Sequence, residues 1–135
     1  MSDAANTPYT GLRYDEMPGL WDGFARLVRP ALGISSFGAN VMNLPPDYET
    51  KAHDEREGGQ EELYVALAGS GAVVVGEGEG EERLELDPER AVRVGPETRR
   101  TLTSGPEGMR VLIVGGTPGQ AYVGPQWSGG EAIGD

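Results

Sequence analysis

The chain has 135 residues, of which 22 are acidic and 11 are basic, so its formal net charge is −11. A field of this sign repels phosphate groups, and the composition therefore argues against nucleic acid and anionic membranes as partners. The absence of cysteine excludes disulfides, thiolate nucleophiles and zinc–cysteine sites, while a single histidine, His53, excludes a multi-histidine metal site within one chain.

The sequence of residues 1–33 predicts a loose arm followed by a short helix. Residues 1–11 have no apolar periodicity and are expected to form the arm. Apolar residues then recur at three- and four-residue spacings, which predicts a helix over 20–28 that ends before Pro30. The chain start lacks the basic and apolar segments of a signal peptide, and no apolar stretch is long enough to span a bilayer, so we expect a cytoplasmic protein.

From Ile34 onward the residue pattern is typical of β-strands. Short segments rich in valine, tyrosine and leucine are separated by glycine, proline and aspartate, and the 22 glycines and 10 prolines of the chain indicate many turns. The predicted strands are 34–44, 48–55, 61–67, 71–76, 82–86, 91–94, 99–104 and 109–115. Antiparallel strands at this spacing predict an all-β sandwich or barrel.

Three parts follow from this pattern. They are an N-terminal arm with a short helix over 1–33, a β-barrel over 34–116 and a C-terminal arm over 117–135 that carries Tyr122 and Trp127. Aromatic side chains in terminal arms need a surface to cover them. We therefore expect a homodimer with one of the arms at its interface.

The segment Q-E-E-L-Y-V-A-L-A-G-S-G, which begins at Gln60, and the preceding His53 resemble the first motif of the cupin family, G-x5-H-x-H-x3-4-E-x6-G. His53, Glu62 and Gly69 stand at motif positions. The region that begins at Leu86 resembles the second motif, G-x5-P-x-G-x2-H-x3-N.

In this second likeness Arg100 takes the position of the histidine and Ser104 that of the asparagine. The resemblance covers about residues 34–115. It implies an all-β, cupin-type β-barrel of jelly-roll topology, a frequent habit of dimerisation, and a pocket that typically holds a divalent metal on three histidines and one glutamate.

The metal ligands implied by the resemblance are only partly present. Glu55 stands at the second histidine position and Arg100 at the third, so His53 and Glu62 alone remain. A guanidinium has no lone pair and repels a dication, and we expect Arg100 to take the place of the metal and to pair with Glu62 or Glu55. If a divalent ion such as zinc, manganese, nickel or iron binds instead, its ligands would be His53, Glu55 and Glu62.

Two functions stay open on these residues. In the first, the barrel needs no cofactor and binds a small, anionic organic ligand through Arg100, Tyr64 and Glu55. In the second, the protein is a cupin enzyme (an isomerase, epimerase, lyase or oxygenase) in which Glu62 or His53 moves a proton, with or without a divalent metal. Tyr64 is expected in the core with its hydroxyl group hydrogen-bonded.

Overall fold

Extended segments dominate the fold. The computed structural model describes residues 7–123, and no helix in this range is long and apolar enough to cross a membrane. In chain order the elements are β1 (Gly19–Leu20), β2 (Ala25–Leu27), α1 (Val28–Leu32), β3 (Gly38–Leu44), β4 (Glu61–Val75), β5 (Glu82–Leu86), β6 (Ala91–Val94) and β7 (Arg100–Gly116). Single turns of 3-10 helix lie at Tyr14–Glu16 and Gly78–Gly80.

The strands form one antiparallel sheet in the order β1-β2-β3-β7-β4-β5, and β6 pairs with β4. The first part of β4 lies between β7 and β6, and its second part lies between β7 and β5. The sheet therefore bends around an apolar interior, although its hydrogen bonds do not close it into a complete barrel. The expected all-β jelly-roll fold is confirmed in this open form.

Two long strands replace four of the predicted ones. β4 and β7 each contain two predicted strands, because the pairing between them continues through a bulged section. Register shifts between Ala66 and Ala68 and between Gly69 and Gly71 bend the pair at this section. The segment between the predicted strands 61–67 and 71–76, which contains Gly69, is thus part of β4 and does not separate two strands. The predicted strands 82–86 and 91–94 match β5 and β6.

The helix predicted over 20–28 is wrong. Most of that segment forms the β1–β2 hairpin, and α1 begins at Val28, where the predicted helix ends. Pro30 lies in the first turn of α1, where a missing N–H costs no hydrogen bond, and Gly33 ends the helix in the left-handed region with φ 77°. Pairing of β2 with β3 favours the hairpin over the predicted helix, because it places Ala25 in the core.

The segment predicted as a strand over 48–55 contacts the sheet through isolated bridges. Glu49 bridges Thr103, and His53 bridges Arg100. The His53 N–H donates to the Arg100 carbonyl at 3.0 Å, and the Arg100 N–H donates to the His53 carbonyl at 2.8 Å. This segment therefore runs antiparallel beside the first part of β7, and the second bridge holds His53 beside the start of that strand.

Alternation along each strand separates an inner face from an outer face. On β4 the inner residues Glu62, Tyr64 and Ala66 are buried, whereas Leu63 and Leu67 are 40% and 36% exposed. Part of the outer face of β4 is therefore open to solvent. The outer faces of β3 and β7 are covered, because α1 and the segment before β1 pack on them in a second apolar cluster.

Gly69→Ala should destabilise the protein by about 2–4 kcal/mol. Gly69 has a φ of +73°, and a Cβ at this position would lie 2.2 Å from the Gly108 carbonyl oxygen on the paired strand. Gly80→Ala is the control, since nothing lies within 4 Å of the added methyl group. Urea unfolding followed by circular dichroism measures both, and equal losses of stability would contradict the bulge geometry.

Candidate functional site

The interior of the barrel is apolar at one end and polar at the other. We define the polar end by the five side chains that the sequence predicts for the site: His53, Glu55, Glu62, Tyr64 and Arg100. Glu62 and Tyr64 lie on the inner face of β4, Arg100 begins β7, and the other two lie on the segment over 48–55 that bridges β7. The fold thus brings all five together from three separate segments.

Arg100 is the centre of this end. Its side chain is 1% exposed, and its Nη2 lies 3.6 Å from Oε1 of the equally buried Glu62. The Nε donates to the Tyr64 hydroxyl at 3.2 Å, and the terminal nitrogens donate to backbone carbonyls of Val94, Gly95 and Thr98. Of the two carboxylates expected to pair with Arg100, Glu62 is the one that it contacts, through a single ion-pair contact. These bonds occupy four of the five N–H groups of the guanidinium.

The Tyr64 hydroxyl joins the two charges. It donates to Glu62 Oε1 at 2.5 Å while it accepts from Arg100 Nε. Burial raises the pKa of Tyr64 well above its usual range, and the negative charge of Glu62 raises the pKa further. Tyr64 therefore stays protonated and keeps its role as the donor to the carboxylate, as expected of a core tyrosine with a satisfied hydroxyl.

His53 and Glu55 form a second, half-buried pair at the rim of the polar end. Their Nε2 and Oε2 atoms are 3.2 Å apart. One donor atom from each of His53, Glu55 and Glu62 lies within 4.8 Å of the others, which is a set that a divalent ion could use. The Arg100 guanidinium beside Glu62 opposes such an ion, because it places a fixed positive charge at the same carboxylate.

Tyr122 is a buried residue near this end whose position the sequence does not predict. Its ring lies over the Arg29 guanidinium, 5.0 Å from the ring centroid to Cζ. Burial raises the pKa of Tyr122, and the nearby charges of Glu55 and Glu62 act in the same direction. The C-terminal arm therefore packs against its own domain at this point, and Trp127 lies outside the described residues.

Asn40 is an inward-facing residue that the sequence does not predict for the site. It is fully buried on β3, on the face that also carries Met42 and Leu44. The available signal is an asparagine, a residue depleted in strands, in the otherwise apolar run Gly-Ala-Asn-Val-Met.

Ser104, at the motif position of the asparagine, has a structural role. Its Oγ donates to the Pro45 carbonyl at 2.5 Å and accepts from the Tyr48 N–H at 2.9 Å. These bonds attach the loop after β3 to β7, so Ser104 stabilises the fold of the barrel.

Tyr64→Phe should lower the unfolding free energy by about 1–3 kcal/mol at pH 7, because Glu62 loses its buried hydroxyl donor. The folded-state pKa of Tyr64 lies above its unfolded value, so the unfolded chain releases this proton first and stability falls as the pH rises above about 10. The variant should therefore lose less stability than the wild type between about pH 10 and 11.

Urea unfolding at several pH values measures this difference. Tyr9→Phe is the control, since Tyr9 is exposed and its replacement should leave both the stability and the pH dependence of Tyr64 unchanged. An identical alkaline loss of stability in the wild type and Tyr64→Phe would contradict the buried network.

Comparison with known proteins supports the fold through structure alone. No family model and no curated protein sequence matches this chain. A cupin protein from Bacteroides fragilis superposes with a TM-score of 0.62 at 15% identity, over 84% of this chain and 88% of that one. An oxalate decarboxylase variant from Bacillus subtilis gives 0.58 at 18% identity, over 69% of this chain and 25% of that one.

A protein from Thermus thermophilus gives a TM-score of 0.52 at 23% identity, over 60% of this chain and 72% of that one. At these identities the likeness concerns the path of the backbone. Together with the antiparallel sheet and the inward-facing residues of β4 and β7, these superpositions show that the chain has the cupin fold.

Proposed function

We propose that this protein binds a small organic ligand at the polar end of its barrel and has no resident transition metal. The observation that carries the proposal is the buried contact between Arg100 and Glu62. The guanidinium neutralises the carboxylate that an ion would need, and a dication placed beside it would meet a fixed positive charge in a poorly screened site.

In this proposal the ligand contacts the rim of the polar end. His53 and Glu55 are only half-buried, and they offer an imidazole and a carboxylate at a separation of 3.2 Å. Arg100 acts as a positioning residue, because its Nε donates to the Tyr64 hydroxyl and its Nη2 forms an ion pair with Glu62. Recognition of an anion by Arg100, which the sequence favours, would depend on the one N–H group that these bonds leave.

A second candidate is a metal-dependent cupin enzyme. It is favoured by the short separation of the donor atoms of His53, Glu55 and Glu62, all within 4.8 Å of one another. These three residues would hold manganese, zinc, nickel or iron, and the bound ion would supply Lewis-acid chemistry. A metal-free enzyme would use His53 for proton transfer, with Glu55 orienting its imidazole ring.

Metal content separates the two candidates. Protein purified without chelator and without added metal should contain substoichiometric zinc, manganese, nickel and iron by elemental analysis. Calorimetric titration with manganese, zinc or nickel should detect weak binding at most. Stoichiometric metal in the purified protein, or tight binding in the titration, would overturn the metal-free proposal in favour of the enzyme.

Restoring the ligand set should restore metal binding. The double variant Glu55→His with Arg100→His presents three histidines and one glutamate and removes the repelling guanidinium, so we expect it to bind at least one of these metals far more tightly than the wild type. Arg100→His alone should recover part of the gain, and Glu55→His alone should recover little. Circular dichroism identifies any variant that fails to fold, and a folded double variant without improved affinity would contradict this placement of position 100.

We also propose a homodimer. Phe37 and Leu63 are exposed large apolar residues that line a groove of about 470 Å³, together with Thr117 and Pro118 from the C-terminal arm. A second copy would bury these side chains. Light scattering at micromolar concentration should give the mass of a dimer, and Leu63→Glu should give a monomer; a monomeric wild type would contradict the proposal.

A further inference from the structure

Asn40 is a buried amide to which residues 7–123 offer no hydrogen bond. Its side chain is 0% exposed, and neither Nδ2 nor Oδ1 has a hydrogen-bond partner within residues 7–123. Burial of an unpaired polar group is destabilising, and an apolar residue would occupy this position without that cost. A buried polar group of this kind therefore requires an explanation.

A neighbouring asparagine shows the structural alternative. Asn43 lies on the same strand with its side chain on the opposite face. Its Nδ2 donates to the Gly23 carbonyl at 3.1 Å, and its Oδ1 accepts from Arg110 Nε at 2.9 Å. Asn43 thus links the β1–β2 turn to β7, whereas Asn40 makes no comparable link among the described residues.

Strand register places Asn40 at the polar end. Asn40 pairs with Ile113 on β7, which in turn pairs with Tyr64 on β4, so the three residues form one row across the inner face. Because neighbouring strands lie about 4.8 Å apart, the backbones at Asn40 and Tyr64 are separated by about 10 Å. A small ligand is long enough to span this distance.

We infer that Asn40 recognises the ligand of the polar end and that this ligand is neutral and carries hydroxyl groups. The inference rests on the proposed ligand-binding function. A primary amide presents a donor and an acceptor side by side, and a hydroxyl group both donates and accepts, so one or two hydroxyl groups satisfy both atoms of the Asn40 amide. Glu55 accepts from hydroxyl groups, and the imidazole of His53 also forms hydrogen bonds with them.

The charges of the site favour a neutral ligand over an anion. Four of the five N–H groups of Arg100 already bind other protein atoms. The carboxylates of Glu55 and Glu62 lie at the same end, and the whole chain has a formal charge of −11. An anion would meet repulsion from these groups with few free donors to offset it, whereas a polyol brings no charge.

The thermal stability of the ligand-free protein tests the role of the amide. Asn40→Leu exchanges the amide for an apolar side chain of similar size, and we expect its melting temperature to rise by about 2–5 °C because an unpaired polar group is removed. Asn43→Leu is the matched control and should melt at a lower temperature, since it loses two hydrogen bonds. A lower melting temperature for Asn40→Leu would overturn the inference, because it would assign Asn40 a structural role.

Ligand-observed nuclear magnetic resonance and calorimetry test the ligand class. The probes are three neutral polyols (glycerol, D-xylose and myo-inositol) and two carboxylates (oxalate and citrate). The wild type and Asn43→Leu should bind at least one polyol, and both Asn40→Leu and Asn40→Ala should weaken that binding at least tenfold. Asn40→Ala covers the case in which leucine is too large for the core.

Two results would overturn the inference. The first is a polyol that Asn40→Ala and the wild type bind equally well. The second is a wild type that binds no polyol; if it binds oxalate or citrate instead, the ligand class is wrong while the proposed binding function stands. Stoichiometric metal in the purified wild type is the separate result that overturns the proposed function itself.

Discussion

The buried contact between Arg100 and Glu62 is the interaction on which the polar end depends. It joins the start of β7 to β4, and the backbone of Arg100 also bridges His53, so one residue fixes three segments. Tyr64 completes the network by bonding both charged groups. Both charged groups are buried. Removal of either one would leave the other without an opposite charge and would lower the free energy of unfolding by about 3–5 kcal/mol.

The same contact limits the chemistry of the site. A carboxylate that is paired with a guanidinium is a poorer metal ligand, and a guanidinium with four hydrogen bonds is a poorer anion receptor. The groups with capacity for a ligand are then His53 and Glu55 at the rim and the amide of Asn40 in the interior. This set of donors and acceptors without a dominant positive charge supports a neutral, polar ligand.

The cupin fold itself does not choose among these functions. The superposed structures share the path of the backbone at identities of 23% or less, and a fold of this kind can hold sites of different chemistry. The motif resemblance assigns Glu55 and Arg100 to two histidine positions, and both side chains lie at the polar end of this chain. The consequences for function therefore have to be argued from those side chains and their contacts.

The sequence by itself determined features that depend on local pattern. The strands 82–86 and 91–94 and the shared face of Glu62 and Tyr64 could be predicted, because turn residues and a two-residue period specify them. The motif positions narrowed the partner of Arg100 to Glu62 or Glu55. Tertiary structure decided the rest. The apolar spacing over 20–28 suits a helix or a hairpin, and only the pairing of β2 with β3 selects the hairpin. The segment at Gly69 suits a turn or a bulge, and the continuous β4–β7 pairing selects the bulge. Likewise, the local sequence does not show that Asn40 is buried without a hydrogen-bond partner among the described residues, since this depends on neighbours that distant strands supply.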